Sequence, residues 1–327
     1  MSRSDDANDS QIVHGGRIPG APQRPAFVLE ANAASQVPVL IAAPHGGRAY
    51  SSSLLADFRP DEAVLLKLED RHADMLARGV TAATGAALLV AEAPRALVDL
   101  NRAPSDVDWD MFVREARPAD GGGLPSRRAR GGLGLIPRRL PGVGDLWRRR
   151  FDRADLGARL DGVHEPYHAA LGEALAALRT RWGAALLIDL HSMPPLSPRP
   201  GTAGAQVVVG DRFGASCHAS VVAASFAHFA QTGREAAHNR PYAGGYVLDR
   251  HADPREGIHA LQIEIDRSRY LDSQMVEPAP EMAGVIADLV GLVQKLAGIV
   301  ADIGRERLER GLAGRGQGDA QWPLAAE

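Results

Sequence analysis

Ala184-Ala185-Leu186-Leu187-Ile188-Asp189-Leu190-His191-Ser192 decides how the rest of this chain reads. A short unbroken apolar run closed by polar residues predicts a buried strand. Val39-Leu40-Ile41-Ala42-Ala43 repeats the pattern and leads into Pro44-His45-Gly46-Gly47. Each run delivers a histidine just past a strand end, where open α/β sheets build their sites.

Outward from these two strands, apolar runs at 86–90, 96–100, 206–209 and 260–265 predict four more. Helices are predicted at 61–84, 145–182, 215–231 and 279–303. The first has an acidic opening turn after Pro60 and stops at Gly85; the second has a break at Pro166. Strands alternating with helices predict a single three-layer α/β domain, with a mostly parallel mixed sheet and helices on both faces. Residues 1–24 and 305–327 read as flexible termini around one folded domain at 25–304. A Gly/Pro/Arg-rich insertion at 117–144 lacks periodicity, and so long a loop is usually functional or mobile. There is no internal repeat.

Composition narrows the classes. The 327 residues suffice for a real core, and 45% apolar with 24% charged is ordinary for a globular chain. A net charge of −3 gives no general attraction to nucleic acid or membrane. The lone Cys217 excludes an internal disulfide and a multi-cysteine zinc site, and it reads as a buried or neutral thiol. No stretch reaches the ~18 apolar residues of a membrane span. The N-terminus has no apolar leader core, so the expected location is cytoplasmic.

Two convergent histidines with nearby carboxylates are what a catalytic zinc needs: three N or O ligands and an open position. Asp70, His72 and Asp74 compete for the third place. On one helix Asp70 and Asp74 share a face and His72 points away; a helix starting near Asp70 would free His72 to compete. His164-Glu165-Pro166-Tyr167-His168 matches the zinc-protease pattern H-E-x-x-H, which needs both histidines on one helical face. Pro166 disfavours helix in the residue before it, so this pattern reads as a decoy with a helix starting near Pro166.

Glu264 lies in the apolar strand Leu261-Gln262-Ile263-Glu264-Ile265. Burial would make it a general base, whereas alternation would put Gln262 and Glu264 on a polar face; the pattern leaves both open. Arg95, Asn101 and Arg102 flank the run at 96–100, where guanidinium groups suit a carboxylate or an oxyanion. The basic cluster Arg127, Arg128, Arg130, Arg138, Arg139 and Arg148-Arg149-Arg150 lacks the aromatic residues of a nucleic-acid site. It reads instead as a mobile cover over the sheet edge.

Together these segments resemble the N-formylglutamate amidohydrolase family, zinc hydrolases akin to carboxypeptidases and aspartoacylases. The resemblance runs through Pro44–Gly47, Glu69-Asp70-Arg71-His72-Ala73-Asp74, Arg95-Ala96-Leu97-Val98-Asp99-Leu100-Asn101-Arg102 and Pro166-Tyr167-His168. It continues through Asp189-Leu190-His191-Ser192, Asn239-Arg240-Pro241-Tyr242-Ala243-Gly244-Gly245-Tyr246 and residues 257–265. It implies a zinc-carboxypeptidase-like fold and a Zn2+ cofactor. The implied reaction is cleavage of a small N-acyl amino acid, N-formyl-L-glutamate above all, to formate and L-glutamate in histidine degradation. It implies His45, Asp70 and His191 as metal ligands, Glu264 as general base and Arg95 as carbonyl polariser. Asn101, Arg102, Gly244 and Gly245 would bind substrate. Carboxypeptidase-like enzymes take a ligand from a glutamate three residues after the first histidine; here Arg48 stands there. Hydrolysis of another small amide, and an inactive binding protein on the same fold, are the rival expectations.

Overall fold

The two apolar runs quoted first become neighbouring parallel strands in the middle of one sheet. The computed structural model of the chain describes residues 10–32, 35–118, 125–197 and 204–316. In chain order its strands are β1 (Ser10–Gly15), β2 (Phe27–Asn32), β3 (Val39–Ala43), β4 (Ala87–Ala91) and the two-residue pair β5 (Arg139–Leu140) and β6 (Gly144–Asp145). Then come β7 (Ala185–Met193), β8 (Val207–Gly210), β9 (Ala236–His238) and β10 (Ile258–Asp266). The α-helices are α1 (Ser52–Asp57), α2 (Ala73–Thr84), α3 (Arg127–Arg130), α4 (Arg153–Arg159), α5 (Glu165–Trp182), α6 (Ala219–Gln231), α7 (Tyr246–His251) and α8 (Met282–Gly316).

The main sheet has the order β1-β2-β4-β3-β7-β10-β8-β9, and its centre, β4-β3-β7-β10, is parallel. Antiparallel pairing is confined to β1 with β2, β2 with β4, and β8 with β10. Successive side chains of β3 enter different cores. Leu40 and Ala42 pack with Tyr167, Leu171 and Leu175 of α5. Val39 and Ile41 pack with Leu76 and Val80 of α2, Val221 of α6, and Leu289 and Leu292 of α8. A strand covered on both sides has no polar face, which is why its sequence shows no alternation. The result is the expected single three-layer α/β domain.

Helix α8 between Met282 and Arg310 is long and apolar enough to cross a membrane by length and composition. Here Val285, Leu289, Leu292, Leu296 and Val300 are buried in the core it shares with α2 and α6. The expected loose termini lie partly outside the described residues, at 1–9 and 317–327. Residues 10–24 are not loose: β1 pairs along its whole length with β2, and Ile18 is buried. At the other end α8 runs past residue 304 to Gly316.

Three local expectations need correction. Residues 96–100 form turns rather than a strand, because the Leu97 N–H bonds back to Pro94 and the Asp99 carboxylate accepts the Asn101 N–H at 2.8 Å. The helix expected at 61–84 is interrupted. A 3₁₀ turn, Glu62–Lys67, stops, and α2 begins only after His72, whose φ of 58° breaks helical geometry.

The helical stretch around Pro166, by contrast, does not break. A π turn, Leu160–His164, joins α4 to α5 through the Glu165 N–H to Leu160 carbonyl bond. Proline has no N–H for the carbonyl four residues back. That carbonyl, Gly162, instead accepts the Arg17 N–H at 2.7 Å, tying the N-terminal segment to the helix.

Candidate active site

The site lies at the C-terminal ends of β3 and β7, on the side of the parallel centre where such sheets hold their ligands. His45 follows β3, while His191 sits within the last residues of β7 rather than past its end. Asp70 stands on the turn between the 3₁₀ segment and α2, and its N–H bonds to the His45 carbonyl at 3.0 Å. Side-chain donor atoms of His45, Asp70 and His191 all fall within 4.8 Å of one another, and all three residues are buried.

Both rings are held from behind by carboxylates. His45 Nε2 is 2.8 Å from Asp99 Oδ1, and His191 Nε2 is 2.8 Å from Asp189 Oδ2. Each Nδ1 therefore turns toward Asp70. His191 Nδ1 lies 2.9 Å from Asp70 Oδ2, whereas His45 Nδ1, 3.5 Å from it, is buried with no hydrogen-bond partner. Burial opposes charge on the His191 ring, but Asp189 and Asp70 outweigh it and hold its pKa well above the ordinary value. Burial likewise opposes the Asp70 carboxylate; the bond with His191 and the nearness of both rings prevail and hold its pKa well below the usual range.

The rival third positions are occupied elsewhere. His72 Nε2 lies 3.1 Å from the Val276 carbonyl. Asp74 makes two parallel bonds to Arg48, at 2.8 and 2.9 Å. Arg48, which stands where carboxypeptidase-like chains carry a glutamate ligand, is thus committed to Asp74.

Register carries the site across to β10. Gln262 pairs with Asp189 and Glu264 with His191, so four polar side chains share one patch of sheet. Both alternatives for Glu264 hold at once: it belongs to a polar face, and that face is buried. Burial lifts its carboxyl to about 7; His191 and Arg95 pull it down, while Asp70 and Asp189 add to the rise. Gln262 Nε2 donates to Glu264 Oε1 at 2.8 Å.

Asp99 organises the other wall. Besides the His45 bond it accepts one from Arg95 Nε at 2.9 Å, with Arg95 Nη2 in ion-pair contact at the same distance. Arg102 donates to the Leu133 and Asn101 carbonyls and leaves Nη2 buried without a partner. Asn101, expected to bind substrate, spends its amide on the protein. Its oxygen accepts the Val247 N–H at 2.9 Å, and its nitrogen donates to Gln262 Oε1 at 3.2 Å. Gly245 is a consequence of that packing, since a Cβ there would stand 2.5 Å from Asn101 Oδ1. Gly244 has a φ of 101°, a conformation that favours glycine. Both glycines line a cavity of about 520 Å³, together with His45, Asp70, His191, Arg95, Arg102 and Glu264.

The decoy motif has a different task. His164 and His168 do lie one turn apart on one helical face, with ring centroids separated by 4.5 Å. His164 Nε2 donates to the Arg102 carbonyl and His168 Nε2 to the Leu100 carbonyl, both at 2.9 Å. These carbonyls flank Asn101. Since His168 Nε2 faces only an acceptor, its Nδ1 is the acceptor for His251 Nε2, 2.9 Å away.

The insertion is no loose cover over its described part. Ala129, Leu135 and Ile136 are buried, and the Leu135 carbonyl accepts the Asp99 N–H. Its Arg138 pairs with Asp108, and beyond its end Arg149 pairs with Asp57 and Asp155, so these arginines stitch the wall together. Residues 119–124 lie outside the described part. Sequence reasoning missed Asp99, Asp189, Gln262 and Arg267, which donates to Asp70 Oδ1 at 3.2 Å. Asp189 had a readable signal: it stands two residues before His191, on the same face of a strand.

Known proteins agree with this architecture. A 276-residue match joins the chain to an N-formylglutamate deformylase of Pseudomonas aeruginosa at 29% identity, covering 83% of this chain and 96% of the relative. The deformylase of Pseudomonas putida is 28% identical over 84% of this chain and 96% of its own. The crystal structure of N-formylglutamate amidohydrolase from Ralstonia eutropha JMP134 superposes with a TM-score of 0.76 at 30% identity, over 84% of this chain and 98% of that one. These relatives make the chain a hydrolase acting on linear amide C–N bonds. The model of the N-formylglutamate amidohydrolase family matches residues 37–271, and the chain belongs to that family.

Proposed function

We propose that the chain is a zinc-dependent hydrolase of N-acyl amino acids whose substrate is N-formyl-L-glutamate, cleaved by water to formate and L-glutamate. One observation carries the zinc assignment: both histidines commit Nε2 to a carboxylate, leaving two Nδ1 atoms and Asp70 facing one another in a buried space. A hydrogen-bonded carboxylate behind each ring fixes the tautomer that presents Nδ1 to a metal. Two imidazoles and a carboxylate suit zinc, and the unpartnered His45 Nδ1 is what such an ion would satisfy. Bound there by His45, Asp70 and His191, zinc would supply Lewis acidity and activate water near neutral pH.

The remaining work falls to the chain's own groups. Glu264, poised near neutrality, takes a proton from the attacking water and returns it to the amide nitrogen as the C–N bond breaks. Gln262 holds Glu264 Oε1, leaving the other oxygen for the proton. Arg95, oriented by Asp99, faces the negative oxygen that develops on the carbonyl. Arg102 offers its unpartnered Nη2 to a substrate carboxylate, while Gly244 and Gly245 close the cavity wall.

The test combines metal content with formate release. Purified protein should hold one zinc per chain and release formate from N-formyl-L-glutamate; a chelator should stop the release and added zinc restore it. Full activity after the metal has been stripped would overturn the zinc assignment. Failure to release formate from any N-formyl amino acid would overturn the substrate.

A further inference from the structure

Six cationic side chains line the cavity, Lys67, Arg95, Arg102, Arg128, Arg212 and Arg267, against two carboxylates, Asp70 and Glu264. Three of the cations are spent within the protein: Arg95 on Asp99, Arg267 on Asp70 and Arg212 on Asp249. Arg102 has only a distant acid, Asp99 Oδ2 at 4.0 Å, and that oxygen already serves Arg95. Arg128 is exposed at the cavity, and its side chain has no ion pair among the described residues.

The backbone that carries Arg128 is tied to the Arg102 side chain. The Leu133 N–H donates to the Arg128 carbonyl at 2.9 Å, and the Leu133 carbonyl accepts from Arg102 Nε at 3.1 Å. One residue thus ties the backbone carrying Arg128 to the Arg102 side chain. The α3 turn is anchored as well, because Ser126 caps it and bonds Asp106 through both N–H and Oγ at 2.8 Å. Burial first, and then the charges of Arg95 and Arg128, bring the Arg102 pKa below its ordinary value despite Asp99. Two like charges on one cavity, one sharing a distant acid with Arg95 and the other with no ion pair among the described residues, are stabilised by an anionic ligand, and two separate cations suit a ligand with two anionic ends.

We propose that Arg128 is a specificity residue: its guanidinium takes the side-chain carboxylate of an N-acyl dicarboxylic amino acid while Arg102 holds the α-carboxylate. This rests on the hydrolase reading above and adds to it a reason for an acidic side chain. It also gives the insertion a task, presenting a second cation beside the first. Lys67, exposed on its 3₁₀ turn, is the competing candidate.

The experiment compares kcat/KM for N-formyl-L-glutamate and N-formyl-L-glutamine, its isostere with a neutral side chain, in wild type, Arg128→Ala and Lys67→Ala. Wild type should prefer the acid by about tenfold or more, and Arg128→Ala should bring that ratio toward one, chiefly through KM. Lys67→Ala should keep the wild-type ratio. Equal losses on both substrates in Arg128→Ala, or collapse of the ratio in Lys67→Ala instead, would overturn the assignment. Calorimetric titration with L-glutamate and L-glutamine separates the two failures. Arg128-dependent glutamate binding without formate release would sink the hydrolase reading and keep the subsite. Formate release from both substrates at equal efficiency would sink the subsite and keep the hydrolase.

Discussion

Two histidine pairs sit close together, His45 with His191 at the crest of the sheet and His164 with His168 on the helix behind it. Their ring centroids are 4.8 and 4.5 Å apart, so spacing does not distinguish them. Their partners do. Carboxylates back the first pair and a third acid faces it, which makes its surroundings receptive to a cation. Backbone carbonyls back the second. Burial first, and then His164, His251 and Arg250, push the His168 pKa down to about 2, and His164 is lowered too. A histidine pair is therefore read from what holds its far nitrogens, not from a motif.

The difference is broken most directly at the crest. His45→Ala and His191→Ala should each lose zinc and take formate release to background, measured by metal analysis and a formate assay. His168→Asn should keep its zinc; a metal-free His168→Asn protein would erase the contrast between the pairs. Next in size, Glu264→Gln should retain zinc and lose on the order of 10²-fold or more in kcat. Near-normal turnover would remove Glu264 from proton transfer. Arg102→Ala should cost ~2–5 kcal/mol in kcat/KM on the acid, and the gap between acid and methyl ester should shrink. Equal wild-type rates on acid and ester would mean that no carboxylate is gripped.

Smaller effects belong to the second pair. His168→Asn strands the Leu100 carbonyl and should cost about 1–3 kcal/mol in stability. It should also raise KM more than it lowers kcat, because the loop carrying Arg102 loses a brace. A fall in stability with both kinetic constants intact would leave His168 a packing residue only.

The smallest effect is a slope with pH. Burial, with Arg250, holds His251 at about 4, below the usual 6.5. Between those values the unfolded chain binds more protons, so stability is full above about 6.5 and declines as pH falls. His251→Asn should flatten the fall from pH 7 to 5, by at most about 1.4 kcal/mol per pH unit, read from denaturant midpoints. An unchanged slope would mean that His251 is not held neutral.

Much of this was legible in the residues. Both central strands, both crest histidines and Glu264 follow from apolar runs and the polar residues that interrupt or end them. Asp70 was readable only as one of three, because a continuous helix was expected where His72 takes a left-handed conformation. No periodicity announces such a break. Asp99 was hidden for a related reason. A strand at 96–100 would have turned it away from His45, whereas the actual turn returns it. Strand β1 escaped because a short edge strand carries no long apolar run. The zinc-protease motif was set aside because Pro166 was expected to break its helix, and the structure overturns that reason: the helix runs through Pro166, and the Arg17 N–H takes the carbonyl that proline cannot serve.

Asp99 has a wider consequence. One oxygen meets His45 and the Asn101 N–H, and the other meets Arg95. His45 and the segment that carries Arg102 are therefore held by a common carboxylate. On the proposed reading, one carboxylate thus sets the spacing between the metal-binding histidine and the segment that carries the substrate-binding arginine.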